Sequence, residues 1–346
     1  MGTLNFALAK FRYSAYALRG YGGQAPFLND LFKIYSLKTL KLCKKFLTMN
    51  ISLAPYTLEH ELERELTYRK INFEKRDRLY FFDADYKPLF AQVTWLNCKK
   101  LPIVSINDGI KQLRALGKNW ALFSVDHHRR AQLIQDGLAK VKEEPILFLA
   151  NLPNHPMGGW TLYDKNTIIC SQETTSLYPL GKCEFIENKT IPPSRAYLKL
   201  WEFFTLHHRP PASGTHVLDM GACPGGWSWV MATLGLKVTA VDKAPLDEKI
   251  GKLAQITFLQ ESAFGLSPEQ VPQVDWFFSD IICYPERLLN LVKTWMAKGQ
   301  VKNFVCTIKF QGEANFSVID QFLAIPNSKI VHLYHNKHEL TWWVNK

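Results

Sequence analysis

The chain has 346 residues, 47% of them hydrophobic and 21% charged, with a formal net charge of +11. That length suggests two or three folded units, and the apolar content excludes a disordered chain. No apolar run reaches the roughly 18 residues of a spanning helix, and seven cysteines without a C-x-x-C pair or tight cluster exclude a disulfide framework or structural zinc, so a soluble protein of a reducing compartment is expected.

The charge is uneven: residues 1–191 carry +9 and residues 192–346 carry +2. A basic first part ahead of a near-neutral second part predicts a polyanion-binding module joined to a catalytic one. Residues 1–48 form a basic extension with eight Lys/Arg and the single acid Asp30. Its segment from Lys33 to Leu47 has the spacing of a basic amphipathic helix. Met49 offers an alternative start, which would make the extension an artefact of start choice. Asp30 and the lysine bias count against an organelle address there.

From 49 to 190 the pattern is α+β. Helices are predicted over 57–70 and 127–144, and strands over 78–84, 88–96, 118–125 and 145–152. His127 and His128 are adjacent rather than at ligand spacing, so with Arg129 and Arg130 they read as basic surface. The Pro-Pro segment of 187–195 reads as a linker.

From 191 on, apolar strands alternate with amphipathic helices. Strands are predicted over 215–222, 237–242, 256–260, 274–280, 302–310, 328–335 and 339–345. Helices are predicted over 194–204, 225–235, 286–299 and 315–324. This is the signature of a Rossmann-like, doubly wound α/β sheet of about seven strands, closed by an antiparallel hairpin, with its site at the carboxyl ends of the strands. Trp227, Trp229, Trp342 and Trp343 read as core.

The first strand of this part enters the turn LDMGACPGGWSW, residues 218–229. A dinucleotide loop requires G-x-G-x-x-G, and here Cys223 stands at the second glycine. No G-K-[ST] follows, so a nucleoside triphosphate loop is excluded too. The turn still lets backbone approach a ligand less charged than a pyrophosphate. The next strand ends in Asp242, where a carboxylate can take the two hydroxyls of a ribose. S-adenosyl-L-methionine fits these features, its amino-acid end near the glycines.

Four further residues converge on one rim in this topology: Lys199 before the first strand, Asp280 after the fourth, Lys309 at the end of the fifth and Glu339 at the start of the last. With SRAYLKL, DMGACPGGW, the SD…P segment, IKF and LYHNKHELT in this order, residues 192–346 resemble the FtsJ/RrmJ type of RNA ribose 2′-O-methyltransferase. Within that type the likeness is greatest to the RlmM branch, which methylates a cytidine ribose of 23S rRNA. The resemblance implies a K-D-K-E tetrad of Lys199, Asp280, Lys309 and Glu339, with Lys309 as general base. It implies cofactor contacts from Ser194, Gly221, the turn Cys223-Pro224-Gly225-Gly226, Asp242 and Asp280. The family's acid after the third strand falls at Ser262, with Glu261 just before it. The branch also carries a THUMP-containing RNA-binding part, and residues 49–190 occupy that place. The implied partner is RNA, 23S rRNA or a large-subunit precursor, with neither DNA nor membrane and no metal, in the cytoplasm.

Ribose methylation needs in-line alignment of a hydroxyl with an electrophilic methyl group and removal of a weakly acidic proton. A lysine in water is protonated at neutral pH, so a lysine base must first give up its proton. Two other readings stand beside this one. Cys283 and Cys306 lie near the places where RNA 5-methylcytosine enzymes keep their nucleophiles, but within D-I-I-C and V-C-T rather than D-A-P-C and T-C-S. The second is a binding-only scaffold that keeps the fold without the chemistry.

Overall fold

The structure, a computed structural model, describes residues 49–141, 143–299 and 301–345. The basic extension expected over 1–48, its helix included, lies outside the described residues. Among the described residues no helix is long and apolar enough to cross a membrane.

The first part is built on two sheets. One has five strands in the order β2 (Phe73–Arg76), β3 (Leu79–Asp83), β1 (Met49–Leu53), β4 (Val93–Leu96) and β9 (Glu173–Thr174). Helix α1 (Glu59–Tyr68) follows β1. The other sheet has the order β5 (Lys99–Pro102), β8 (Thr167–Ser171), β7 (Gly158–Asp164) and β6 (Trp120–Leu122). Helices α2 (Ile106–Leu116) and α3 (His128–Asp136) share its core through Leu113, Ala131 and Ile134.

Several expected boundaries move here, each for a physical reason. The strand expected over 145–152 is absent: only Ile146 bridges, to Phe185, while Leu147, Leu149 and Leu152 are exposed. Phe148 instead stacks on Trp201 at 4.9 Å between ring centroids. An apolar run marks a strand only when an edge is available to pair with it. The helix expected to reach 144 stops at Asp136, where Gly137 caps it. A Cβ at Gly137 would lie 2.3 Å from a methyl of Ile110, so the glycine also lets α3 approach α2. The strand expected over 88–96 begins only at Val93, because the amides of Leu89 and Phe90 donate to the buried Glu65 carboxylate at 2.7 and 2.9 Å.

The second part is a seven-stranded sheet in the order β12 (Ile256–Leu259), β11 (Lys237–Val241), β10 (His216–Met220), β13 (Trp276–Ser279), β14 (Asn303–Lys309), β16 (Glu339–Val344) and β15 (Ser328–Val331). All neighbours pair in parallel except β16, which runs against both β14 and β15. One face is covered by α4 (Tyr197–Glu202), continued by a π-helical turn over Phe203–His207, and by α5 (Gly226–Thr233). A short α6 (Glu248–Gly251) precedes β12. The other face is covered by α7 (Pro285–Ala297) and α8 (Phe316–Leu323). All four tryptophans expected in the core are buried. The strand expected to run on to 335 ends at Val331, because the amides of Tyr334 and His335 turn away to the Glu202 carboxylate at 2.8 and 3.0 Å.

Candidate active site

Strand β10 delivers the chain to the turn at the carboxyl edge of the sheet. Gly221 has φ +81°, and a Cβ there would sit 2.8 Å from Ile281, so only glycine lets the turn pass the neighbouring loop. The amide of Cys223 donates to Asp242 Oδ2 at 3.0 Å, and that of Ala244 donates to Oδ1 at 3.0 Å. Asp242 therefore ties the turn to the end of β11.

These elements enclose a cleft of about 490 Å³. Of the residues expected at the cofactor, Ser194, Gly221, Cys223, Pro224, Gly226, Asp242, Ser262 and Asp280 all line it. Gly225 does not: its φ is +114° and a Cβ there would meet Ile250 at 2.7 Å, so it serves the packing of the turn. Ser262 stands in the cleft wall beside Ala263 and Phe264, whereas Glu261 is exposed and off the lining.

Sequence reasoning passed over Asp219, Phe264 and Arg287, which also line the cleft. Arg287 covers the Phe264 ring, its guanidinium carbon 3.6 Å from the centroid. Asp219 is fully buried; one oxygen accepts from Ser228 Oγ at 2.6 Å and the other has no partner. Burial, with the nearby Asp280 and Asp242 charges, overrides that hydrogen bond and pushes its pKa up to about 7. Its position at the end of β10, two residues before the first glycine, was the available signal. An orphaned carboxylate oxygen calls for a cationic or N–H partner, Asp242 offers acceptors, and the Phe264 side gives an apolar wall. The residues of the cleft fit S-adenosyl-L-methionine.

A second cavity, a groove of about 1100 Å³, opens on the other side of the rim. The two cavities share Ser194, Ala196, Asp280, Ile282 and Lys309 in their walls. The four tetrad residues meet at this junction. Lys199 Nζ donates to Asp280 at 2.6 and 2.8 Å and to Glu339 at 3.0 Å. Lys309 Nζ lies 3.0 Å from Asp280 and 3.7 Å from Glu339. Lys309 and Glu339 are directly paired in the β14–β16 ladder, which sets their side chains together. Thr307, two residues earlier on the same face of β14, donates to Asp280 at 2.6 Å; that spacing was its only signal in the sequence.

The environments of the two lysines differ. Burial opposes the charge on Lys199, but the Asp280 and Glu339 carboxylates outweigh it and hold the ammonium above the ordinary lysine range. Burial likewise opposes the charge on Asp280, and the Lys199 and Lys309 ammoniums hold its carboxyl below the ordinary range. Lys199 is thus a fixed cation with a side chain 7% exposed, whereas Lys309 is 18% exposed and reaches both cavities. Cys283 and Cys306 lie near one another but are buried. Burial pushes the Cys283 thiol up to about 11 and the Cys306 thiol well above its usual value, so neither is poised as a thiolate.

The seven-stranded sheet and the cleft at its carboxyl edge define a Rossmann-like methyltransferase domain of the S-adenosylmethionine-dependent class. Residues 192–324 match the FtsJ-like methyltransferase family. It is 32% identical over 184 residues to the ribosomal RNA large subunit methyltransferase M of Pseudoalteromonas atlantica, covering 48% of this chain and 51% of that one. It is 29% identical over 167 residues to the protein of the same name from Aromatoleum aromaticum, covering 44% of this chain and 45% of that one. The chain spans about half the length of the curated relatives it matches.

Proposed function

We propose that the protein is an S-adenosylmethionine-dependent rRNA methyltransferase that modifies a ribose 2′-hydroxyl, and that its target is a cytidine of 23S rRNA. The observation that carries this reading is the meeting of two cavities at Lys309 and Asp280. A cofactor in the cleft and an acceptor in the groove would face each other across those two side chains. The names of the relatives support large-subunit rRNA as substrate, and the resemblance to the RlmM branch supports cytidine.

The cleft residues would hold the cofactor: Asp219 and the Gly221–Pro224 turn at its charged end, Asp242 at its ribose, and Ser262 and Phe264 along its wall. When bound, S-adenosylmethionine supplies an electrophilic methyl group. Lys309, once its ammonium has released a proton, is the base that takes the proton from the 2′-hydroxyl, since it alone of the two lysines reaches both cavities. Asp280 orients Lys309, and Thr307 and Lys199 hold Asp280 in turn. Lys199 and Glu339 position the ribose from the groove side. The buried thiols speak against base methylation through cysteine.

The test uses radiolabelled S-adenosylmethionine and unmodified large-subunit rRNA, followed by alkaline digestion. Alkali cuts only beside a free 2′-hydroxyl. Label in an alkali-resistant dinucleotide beginning with cytidine is the expected result. Label in mononucleotides would overturn the ribose assignment.

A further inference from the structure

We propose that Tyr56 is a stacking platform for a nucleobase of single-stranded RNA threaded through the acceptor groove; the assignment rests on the ribose-methylation reading of the same site. Pro55, Tyr56 and Gln92, all from the first part of the chain, line the groove whose other end is Lys309 and Asp280. The acceptor site is therefore composite, with loops flanking β1 and β4 of the first part supplying part of its wall.

Three observations single out Tyr56. The residue is 78% exposed, although Tyr80, Phe81 and Phe82 of the adjoining strand β3 are buried. The next residue, Thr57, has φ +72°, a region costly for a β-branched side chain. That turn between β1 and α1 directs the ring out of the core instead of into it. The guanidinium carbon of Arg78 lies 5.9 Å from the ring centroid, and its Nη1 donates to the Ala54 carbonyl at 3.1 Å, which fixes a cation beside the platform. An aromatic face with an anchored guanidinium suits a base and its phosphate together.

The groove also decides the form of the RNA. Lys309 is 18% exposed at the junction of the cavities, so a ribose must leave its helix to reach it. Side chains read unstacked bases in single strands and loops, where both faces of the ring are free. Gln92, Gln311 and Lys337 place hydrogen-bonding groups along the same walls. Aromatic stacking with polar edge contacts is the recognition chemistry of a nucleotide rather than of a peptide.

The experiment compares the full chain with Tyr56→Ala, Tyr56→Phe and Tyr56→Trp. Filter binding of an unmodified large-subunit rRNA transcript gives Kd, turnover with labelled S-adenosylmethionine gives KM and kcat, and ultraviolet crosslinking followed by peptide mass spectrometry locates the contact. Loss of one base stack predicts a Kd raised about fivefold to 150-fold in Tyr56→Ala. KM should rise with it, with kcat and cofactor affinity unchanged and binding restored by Phe and Trp. A crosslinked peptide containing Tyr56 is expected. An unchanged Kd in Tyr56→Ala would overturn the proposal, as would a Phe variant as weak as the Ala variant. Base rather than ribose label from alkaline digestion would sink the chemical reading alone, because Kd and the crosslink report the platform separately.

Discussion

At the scale of single residues the site rests on charges held in unlike surroundings. Lys199 and Lys309 are both within reach of Asp280 and Glu339, yet only Lys309 reaches both cavities. Lys309→Ala is therefore expected to lower kcat by about 10²–10⁴-fold, the usual worth of a general base. Cofactor affinity, read by calorimetry, should stay unchanged; retained turnover would remove Lys309 from the role. Asp219 gives a second test, with a definite sign. Its folded pKa of about 7 stands above the ordinary aspartate value of 3.8. Between those values the folded chain holds a proton that the unfolded chain has lost, so stability falls as pH rises through that window and levels off above it. Ionised burial costs on the order of 4 kcal/mol at pH 8. Asp219→Asn should then melt higher than the parent at pH 8, and the difference should shrink toward pH 4. The same change should weaken S-adenosylmethionine binding and abolish its improvement between pH 6 and 8. Equal melting at both pH values would refute the burial argument.

Elements carry these residues to their places, and they differ in how far the sequence reveals them. In the second part the central strands β13 and β14 are buried on both faces and helices α7 and α8 are amphipathic, so a period in the sequence maps onto one structural element there. Lys309 and Glu339 could be paired from topology alone, because β14 and β16 end and begin at the same rim. The first part hides its pattern. Strand β1 reads as a mixed segment because Asn50 and Ser52 are buried, with Asn50 bonded to Ala84 and Asn97 and Ser52 to Thr94 at 2.9 Å. The hairpin of β7 and β8 was likewise passed over. Glu61 shows the same masking within α1: a charged residue in a charged helix, yet 0% exposed. Its carboxylate accepts from Arg64 at 2.8 Å, from the Ala314 amide at 3.0 Å and meets His338 Nε2 at 2.7 Å. Ala314 lies on the loop leaving Lys309, and His338 precedes Glu339, so α1 braces both strands of the ladder at the rim that holds the tetrad. His60 is also near, at 3.4 Å, and Arg64 already supplies the carboxylate with a cation. Glu61→Ala leaves those donors without an acceptor and should cost on the order of 3 kcal/mol. Thermal melting should fall and kcat should drop with it, whereas Glu61→Gln, which keeps an acceptor, should lie between. An unchanged melt would show that the brace bears no strain.

Over the whole molecule the consequence is that the first part shares a buried core with the second rather than hanging from it as an attachment. Ala54, Leu62, Leu66, Tyr80, Phe82 and Phe90 belong to the same buried cluster as Phe310, Phe316, Leu340 and Trp342 of the second part. Phe90 lies 5.7 Å from Phe310 and 6.2 Å from Phe316 between ring centroids. Tyr68 stacks on Phe316 at 5.3 Å, and Arg69 grips both oxygens of Asp320 on α8. A chain cut at residue 191 would strip this cover from α8 and from the loop after Lys309, exposing aromatic surface worth roughly 25 cal/mol per Å². Residues 192–346 expressed alone should therefore melt well below the full chain, or associate, when followed by calorimetry and light scattering. Among the described residues the cofactor cleft is lined only from Ser194 onward, so any folded fraction should still bind S-adenosylmethionine while losing turnover. Equal melting and equal kcat in the fragment would mean that the shared core is dispensable and that the two parts meet without supporting each other. The opposite result, binding kept and turnover lost, would place the dependence where the structure puts it: on the ladder of β14 and β16, which the first part holds from outside.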